Sequence, residues 1–423
     1  MSEIVQRTAR LRAQINSLCR IPHPLTSRPP VRTDLIVTHC EINPRHGTGV
    51  LLERLFAGNT RLLTIRSRDL YDGKQTFGTK NIRLSHDGRS RPEILAAVLA
   101  AMGNNLPARV LCVPYFPDDV LTALAINDIY NAPLCTYVMD DQNVCVEGIP
   151  DALMAELLSR STLRLAISPE LQSAYEQKYG HQFWFLPPLV PTALLLRSPL
   201  LEAPMYPSDL GVVIGNIWGQ EWLERLRSTV RNSGLRLRWY CSSGSWRSFL
   251  NFKPEALLAD DIELHEPIAH EVDLVAEVRK YAFAIVPSGT LDSADNRNSL
   301  AHLSLPSRIP FILATCGTPL IVLGSAETAA ARFVRRFQVG TACPYDAAAF
   351  RQTVAAISTP ACQTALRSRA AALAPLFDDR GGAEWIWRSL ELRRPCTLQY
   401  ERLNESLTTM ADPAPAVVGA HQL

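Results

Sequence analysis

Three stretches of the chain combine glycine, hydroxyl and charged residues in ways that can do chemistry. The first is Ser304-Leu305-Pro306-Ser307-Arg308, which leads into an apolar run ending at Gly317. Leu305, Ile309, Ile312, Leu313 and Cys316 fall on one helical face, with Ser304 and Pro306 suited to a helix start and Gly317 to its end. Ser307 and Arg308 are therefore expected in the first turn, where amides, a hydroxyl and a guanidinium can converge on a diphosphate. The plain alternative is a surface serine, with Arg308 serving as a cap or an ion-pair partner. Nearby, Ser288, Gly289 and Thr290 follow Val286-Pro287 and offer small hydroxyl residues beside a glycine at a strand end.

The second stretch runs from Thr38 to Leu52 and reads as strand, loop and helix start. Gly47 and Gly49 permit close backbone approach to a ligand, Arg45 or His46 can supply charge, and Thr48 lies between the glycines; an ordinary turn capped by Thr48 is the alternative. It lacks both the P-loop Gly-Lys-Ser/Thr and a Gly-x-Gly-x-x-Gly. His39 stands at the mouth of the same strand, as a contact to a bound ligand or as a buried structural histidine. The third stretch, Tyr137-Val138-Met139-Asp140-Asp141, ends an apolar strand in a carboxylate pair. One of the two can orient or deprotonate a hydroxyl of a bound ligand. Adjacent Asp pairs recur at 118–119, 260–261 and 378–379, so position singles out Asp140 and Asp141. His265 and His270 are five apart with Pro267 between them, unlike a zinc-binding His-Glu-x-x-His pair, and no Gly-x-Ser-x-Gly elbow of a serine hydrolase occurs.

Positioning these groups requires strand ends. Short β-branched runs alternate with helical periodicity, the pattern of a parallel sheet covered by helices, and the alternation occurs twice. Strands are expected at Asp34–Cys40, Arg61–Arg66, Arg109–Val113, Leu134–Asp140, Leu163–Ser168 and Phe183–Leu186. After a Pro- and Leu-rich stretch, others follow at Gly211–Gly215, Leu235–Cys241, Ile262–His265, Phe283–Pro287, Pro319–Leu323 and Val339–Cys343. The fold class is thus α/β, two Rossmann-like doubly wound parallel-sheet domains facing a cleft. Their expected extents are 1–190 and 209–375, with a linker at 191–208. A helical segment at 376–410 is free to pack back on the first domain, and 411–423 forms a loose tail.

Composition agrees with a globular protein of this size: of 423 residues, 47% are hydrophobic and 20% charged. With 43 Lys+Arg against 41 Asp+Glu, binding to nucleic acid through bulk charge has no support. Ten cysteines without a Cys-x-x-Cys give neither a zinc spacing nor a disulfide framework. They read as reduced core residues, and cytoplasmic placement is expected. Residues 1–20 lack the apolar core of a secretory signal. The uncharged run Ile309–Gly324 is short for a membrane span, which leaves peripheral membrane contact as an open expectation.

Pro306-Ser307-Arg308, the apolar helix and Gly317-Thr318-Pro319-Leu320-Ile321-Val322 resemble the Pro-Ser-Lys and AxxxGxPvI segment of glycosyltransferases with the GT-B fold, group 1 or family 4 type. Ile167-Ser168-Pro169-Glu170-Leu171 through Gly180, then Leu186-Pro187-Pro188, is similar to the segment closing the family's amino domain. Val213-Ile214-Gly215-Asn216-Ile217 resembles its first carboxy-domain strand. The resemblance implies a nucleotide diphosphate-sugar as donor substrate, no other cofactor, no metal, and an acceptor hydroxyl on a glycan, lipid-linked glycan or small molecule. It implies that Ser307 and Arg308 contact the diphosphate and that Gly215, Asn216, Ser288, Gly289 and Thr290 line the donor side. Gly47, Thr48 and Gly49 would face the donor across the cleft. Two family features are absent: 215–221 holds no Lys or Arg, and Pro310-Phe311 stands where the second glutamate of Glu-x7-Glu would fall. Arg247 is a candidate for the missing charge. A nucleotide-sugar 2-epimerase and a non-catalytic GT-B-like binding module are the rival readings.

Overall fold

The computed structural model describes residues 31–59, 61–200, 202–241, 250–295 and 298–401. The first lobe is built on a seven-stranded sheet in the order β3-β2-β1-β4-β5-β6-β7. Its strands are β1 (Val31–Thr38), β2 (Leu62–Arg66), β3 (Lys80–Arg83), β4 (Asn105–Cys112), β5 (Leu134–Val138), β6 (Leu163–Ala166) and β7 (Trp184–Phe185). The second lobe carries six strands in the order β10-β9-β8-β11-β12-β13. These are β8 (Leu210–Ile214), β9 (Arg236–Tyr240), β10 (Ile262–His265), β11 (Ala284–Pro287), β12 (Leu320–Leu323) and β13 (Gly340–Cys343). Every pairing is parallel. The α/β reading with two parallel sheets is correct, and each expected strand has its counterpart.

The central strands are largely apolar because helices cover both faces of each sheet. All residues of β2, β5, β8, β11 and β12 are buried. β3 was not expected: Lys80-Asn81-Ile82-Arg83 is a polar edge strand fixed by its register on β2. In both sheets the strand order reverses beside the first strand, between β1 and β4 and between β8 and β11. Ligands bind outside the carboxyl ends of strands at such reversals, and the chemically suggestive residues follow those strands.

Local signals act as the sequence implies at the Pro169–Tyr179 helix. Ser168 accepts a hydrogen bond from the Leu171 amide, Pro169 occupies the first turn, and Gly180 ends the helix in the left-handed region. The helix expected from Ser304 begins later, at Arg308, and widens after Phe311 into a π-helical turn over Ile312–Cys316. There the Gly317 amide reaches back to the Ile312 carbonyl at 2.9 Å. Such widened turns concentrate at functional sites.

Beyond the second sheet, the Pro360–Leu373 helix is followed by the Gly382–Leu392 helix, which returns to the first lobe. Trp387 packs against Phe56 at 5.4 Å between ring centroids, and the Arg109 guanidinium lies over the Trp387 ring at 4.8 Å. The outgoing and returning chains meet as Val190 pairs with Asp378. The Val190 amide donates to the Phe377 carbonyl at 2.8 Å, and the Asp379 amide to the Val190 carbonyl at 3.1 Å. One hydrophobic core runs from the first lobe into the inner side of the second, and another fills the second lobe's outer side. All nine described cysteines are free thiols, six of them buried; Cys19 and Arg247 lie outside the described residues. Among the described residues no helix is long and apolar enough to cross a membrane.

Candidate active site between the two lobes

At the carboxyl end of β1 the chain turns through Asn43-Pro44-Arg45 into the Gly47–Phe56 helix. His46, not Thr48, caps this helix: its Nδ1 accepts the Gly49 amide at 3.3 Å, while its Nε2 donates to the Glu41 carbonyl at 2.7 Å. Glu41 in turn fixes the adjoining loop by accepting the Leu70, Tyr71 and Gly73 amides at 2.9, 3.0 and 2.6 Å. Those bonds hold its carboxyl below the usual range against the opposing effect of burial. Tyr71 stacks on the His46 ring at 4.8 Å.

The two expected loop glycines differ in what they meet. A Cβ on Gly49 would lie 2.3 Å from the Asn43 carbonyl oxygen and 2.7 Å from His46 Nε2, so this glycine serves the loop's own packing. A Cβ on Gly47 would instead meet Ser307 Oγ of the second lobe at 3.0 Å. Gly47 and Ser307 therefore lie together at the seam of the lobes. Thr48 follows, with its Oγ1 at 2.7 Å from the Tyr115 hydroxyl.

Tyr115, which the sequence did not single out, lies in the turn after β4 and ties the first-lobe groups together. Its hydroxyl donates to Asp140 Oδ2 at 2.5 Å, and its ring lies 4.0 Å from that of His39. Its backbone is anchored by Asp119, whose Oδ2 accepts the Tyr115 and Phe116 amides at 3.0 and 2.8 Å. Burial raises the Tyr115 hydroxyl well above its ordinary pKa, as does its position against Asp140. It is a neutral donor at all ordinary pH values.

The two adjacent aspartates separate. Asp141 is buried, and its carboxylate accepts the Asn143, Val144 and Cys145 amides at 3.0, 2.8 and 2.6 Å. Its lone pairs organise the turn after β5, so of the pair Asp140 is the carboxylate not committed to backbone amides. Asp140 keeps partial exposure. Burial raises its pKa, with Asp141 adding to the rise, while hydrogen bonds from Tyr115 and Ser304 act in the opposite direction. His39 is buried; that burial, with His46 and Arg68 nearby, lowers its pKa and leaves the imidazole neutral.

In the second lobe Arg308 reaches under the end of β8. Its Nη1 donates to the Ile214 carbonyl at 2.7 Å and its Nη2 donates to the Asn216 carbonyl. Gly215 between them has φ +75°, and a Cβ there would lie 3.8 Å from Arg308 Nη1. Arg308 makes no ion pair with a carboxylate among the described residues. Burial pulls its pKa down to about 10, which still leaves it charged at neutral pH. The expected Ser288-Gly289-Thr290 turn is bolted into its own lobe. Ser288 is buried and its carbonyl accepts the Tyr345 hydroxyl at 2.9 Å. A Cβ on Gly289 would meet Asp295 Oδ2 at 2.6 Å, and that same oxygen accepts the Thr290 amide at 2.8 Å.

His39, Cys40 and His46 offer ligand atoms within 4.8 Å of one another. The His46 ring has no lone pair to give, because one nitrogen accepts the Gly49 amide and the other donates to Glu41. Burial also pushes the Cys40 thiol far above its ordinary pKa, the opposite of what metal binding requires. The cluster does not fit a metal.

Several side chains cross the seam. Ser168 Oγ donates to the Leu303 carbonyl at 3.1 Å, and the Asp141 amide donates to Ser304 Oγ at 3.4 Å. Arg54 pairs with Glu271 and lies over Phe311. The seam thus brings together His39, Gly47, Thr48, Tyr115 and Asp140 from one lobe with Ser304 and Ser307 from the other.

No protein-family model and no curated protein matches the sequence. Solved structures do resemble it. Anabaena HepE, crystallised with UDP and glucose, aligns with a TM-score of 0.59 at 13% identity, covering 85% of this chain and 99% of that one. WaaG, a glycosyltransferase involved in lipopolysaccharide biosynthesis, aligns with a TM-score of 0.52 at 10% identity over 90% of this chain and all of its own. O. sativa Os79, solved with UDP and deoxynivalenol-3-glucoside, gives 0.50 at 12% identity over 89% of this chain and 100% of that one. At these identities the likeness is one of architecture, and this chain has the GT-B fold.

Proposed function

We propose that the protein is a glycosyltransferase that moves a sugar from a nucleotide diphosphate-sugar to an acceptor hydroxyl in the crevice between the lobes. The observation that carries this reading is Arg308, a half-buried guanidinium without a carboxylate partner among the described residues. Its bonds go to the neutral Ile214 and Asn216 carbonyls, which leaves the charge without a counter-ion; a partly desolvated cation of this kind favours an anion, and a diphosphate is an anion of suitable charge. Ser307 stands beside Arg308 and against Gly47. The Gly47 and Thr48 amides, at the start of a ten-residue helix, have no hydrogen-bond partner among the described residues. Helix-start amides of this kind favour phosphate. The fold supports the same reading, since the neighbour HepE was solved with UDP and glucose.

In the reaction, the acceptor oxygen bonds to the sugar's anomeric carbon as the bond from that carbon to the diphosphate breaks. The bonding pair leaves with the nucleoside diphosphate. Arg308 and the helix-start amides stabilise the departing charge, so that no metal is required. Asp140 receives the acceptor proton, a role consistent with its raised proton affinity. The test is release of UDP or GDP from a panel of nucleotide-sugars, with and without a hydroxyl acceptor extract. Acceptor-dependent release supports transfer. Donor conversion without acceptor points to an epimerase, and failure to bind either nucleotide in calorimetry points to a non-catalytic module.

A further inference from the structure

We infer that Tyr115 and Ser304 are positioning residues for Asp140, one hydroxyl supplied by each lobe, so that this carboxylate is set up for proton transfer only when the lobes meet. The inference rests on the transferase reading for its chemistry, though its structural part stands separately. Tyr115 spans the first-lobe site: its hydroxyl lies 2.7 Å from Thr48 Oγ1 and 2.5 Å from Asp140 Oδ2. The tyrosine cannot drift, because Asp119 holds its amide and His39 packs on its ring. Ser304 approaches from the opposite lobe, directly after the Asn298–Leu303 helix. Its hydroxyl accepts the amide of Asp141, the residue that follows Asp140, at 3.4 Å, which sets it beside the end of β5 where Asp140 stands. It sits three residues before Ser307, so the segment that bears the diphosphate-facing turn also completes the carboxylate's surroundings.

A hydroxyl donating to a carboxylate favours its ionised form, whereas burial and a neighbouring carboxylate oppose it. Around Asp140 the ionisable groups are Tyr115, which donates, and Asp141, whose own charge is turned onto three amides. Behind Tyr115 lie the neutral His39 and the protonated thiol of Cys40. Loss of either hydroxyl therefore leaves Asp140 holding its proton to higher pH. Separation of the lobes, which withdraws Ser304, acts in the same direction. The proton taken from the acceptor moves to Asp140 as the acceptor oxygen bonds to the anomeric carbon and the diphosphate departs.

The experiment is an infrared pH titration of the full chain, following the protonated-carboxyl band that Asp140→Asn removes. Tyr115→Phe and Ser304→Ala should each raise the midpoint of that band by about one pH unit or more, and Ser304→Thr should restore it. The acid limb of the transfer rate should move by the same amount as the midpoint. Midpoints that stay at the wild-type value in both variants overturn the inference. Midpoints that move in a protein transferring no sugar from any donor support the positioning roles and overturn the transferase reading.

Discussion

Replacing Arg308 by methionine separates what this residue does for the fold from what it does for a ligand. Burial lowers its pKa from 12.5 to about 10, a penalty on the charged form of about 3 kcal/mol. Against this stand its bonds to the Ile214 and Asn216 carbonyls, each worth about 1.5–3 kcal/mol as bonds to a charged group. The methionine variant loses both the bonds and the burial penalty, so its unliganded stability should fall by only about 0–3 kcal/mol. Affinity for a nucleoside diphosphate should fall more sharply. One charge-assisted contact of about 2 kcal/mol corresponds to roughly 30-fold in Kd. At a nucleotide concentration 100 times the wild-type Kd, ligand stabilisation should drop from about 2.7 to about 0.9 kcal/mol. Urea unfolding with and without UDP or GDP reads both quantities on the same samples, and calorimetry gives Kd directly. Wild-type affinity in Arg308→Met would refute the assignment of this guanidinium to the diphosphate.

The two loop glycines should respond in opposite ways. Gly49→Ala places a methyl 2.3 Å from the Asn43 oxygen and should destabilise the protein by about 3 kcal/mol. Gly47→Ala meets only the rotatable Ser307 hydroxyl at 3.0 Å, so it should keep stability within about 0.5 kcal/mol while weakening nucleotide binding. Equal denaturation midpoints for the two variants would contradict the geometry. A separate pH effect should come from Asp119, which burial raises to about 6. Its folded pKa exceeds the unfolded value of about 3.9, so its contribution is fully present below about pH 4 and is lost as pH rises through about 6. Asp119→Asn should therefore gain on the wild type by up to about 3 kcal/mol between pH 4 and 8. Parallel stability curves for the two proteins would rule this out.

What sequence made legible was what is decided locally. Val212-Val213-Ile214, Ile285-Val286 and Leu320-Ile321-Val322 are buried on both faces, and such runs announce a covered parallel strand wherever they occur. Lys80-Asn81-Ile82-Arg83 escaped notice because an edge strand with one apolar residue depends on its neighbour's backbone for identity. The division of labour between Asp140 and Asp141 was also hidden, since adjacent residues leave a strand end in opposite directions and nothing in the letters says which way faces the crevice. Tyr115 was missed for a related reason. Between Pro114 and Pro117 it reads as turn material, and its partners Thr48 and Asp140 lie 67 and 25 residues away. Its one available signal was position, at the carboxyl end of a strand flanking the reversal in strand order. The Gly47–Ser307 and Asp141–Ser304 contacts join separate lobes, and no periodicity within either lobe encodes them.

The paired crossings at Val190 and Asp378 have a mechanical consequence. Two lengths of backbone, laced by the Val190 amide and carbonyl and by Thr192 against Asp379, lie side by side where the lobes join. A single tether would leave one lobe free to twist and slide on the other. A doubled one is a hinge pin: any relative movement would be confined to rotation about its own line, and closure would bring Ser307 back to Gly47 and Ser304 back to the Asp141 amide.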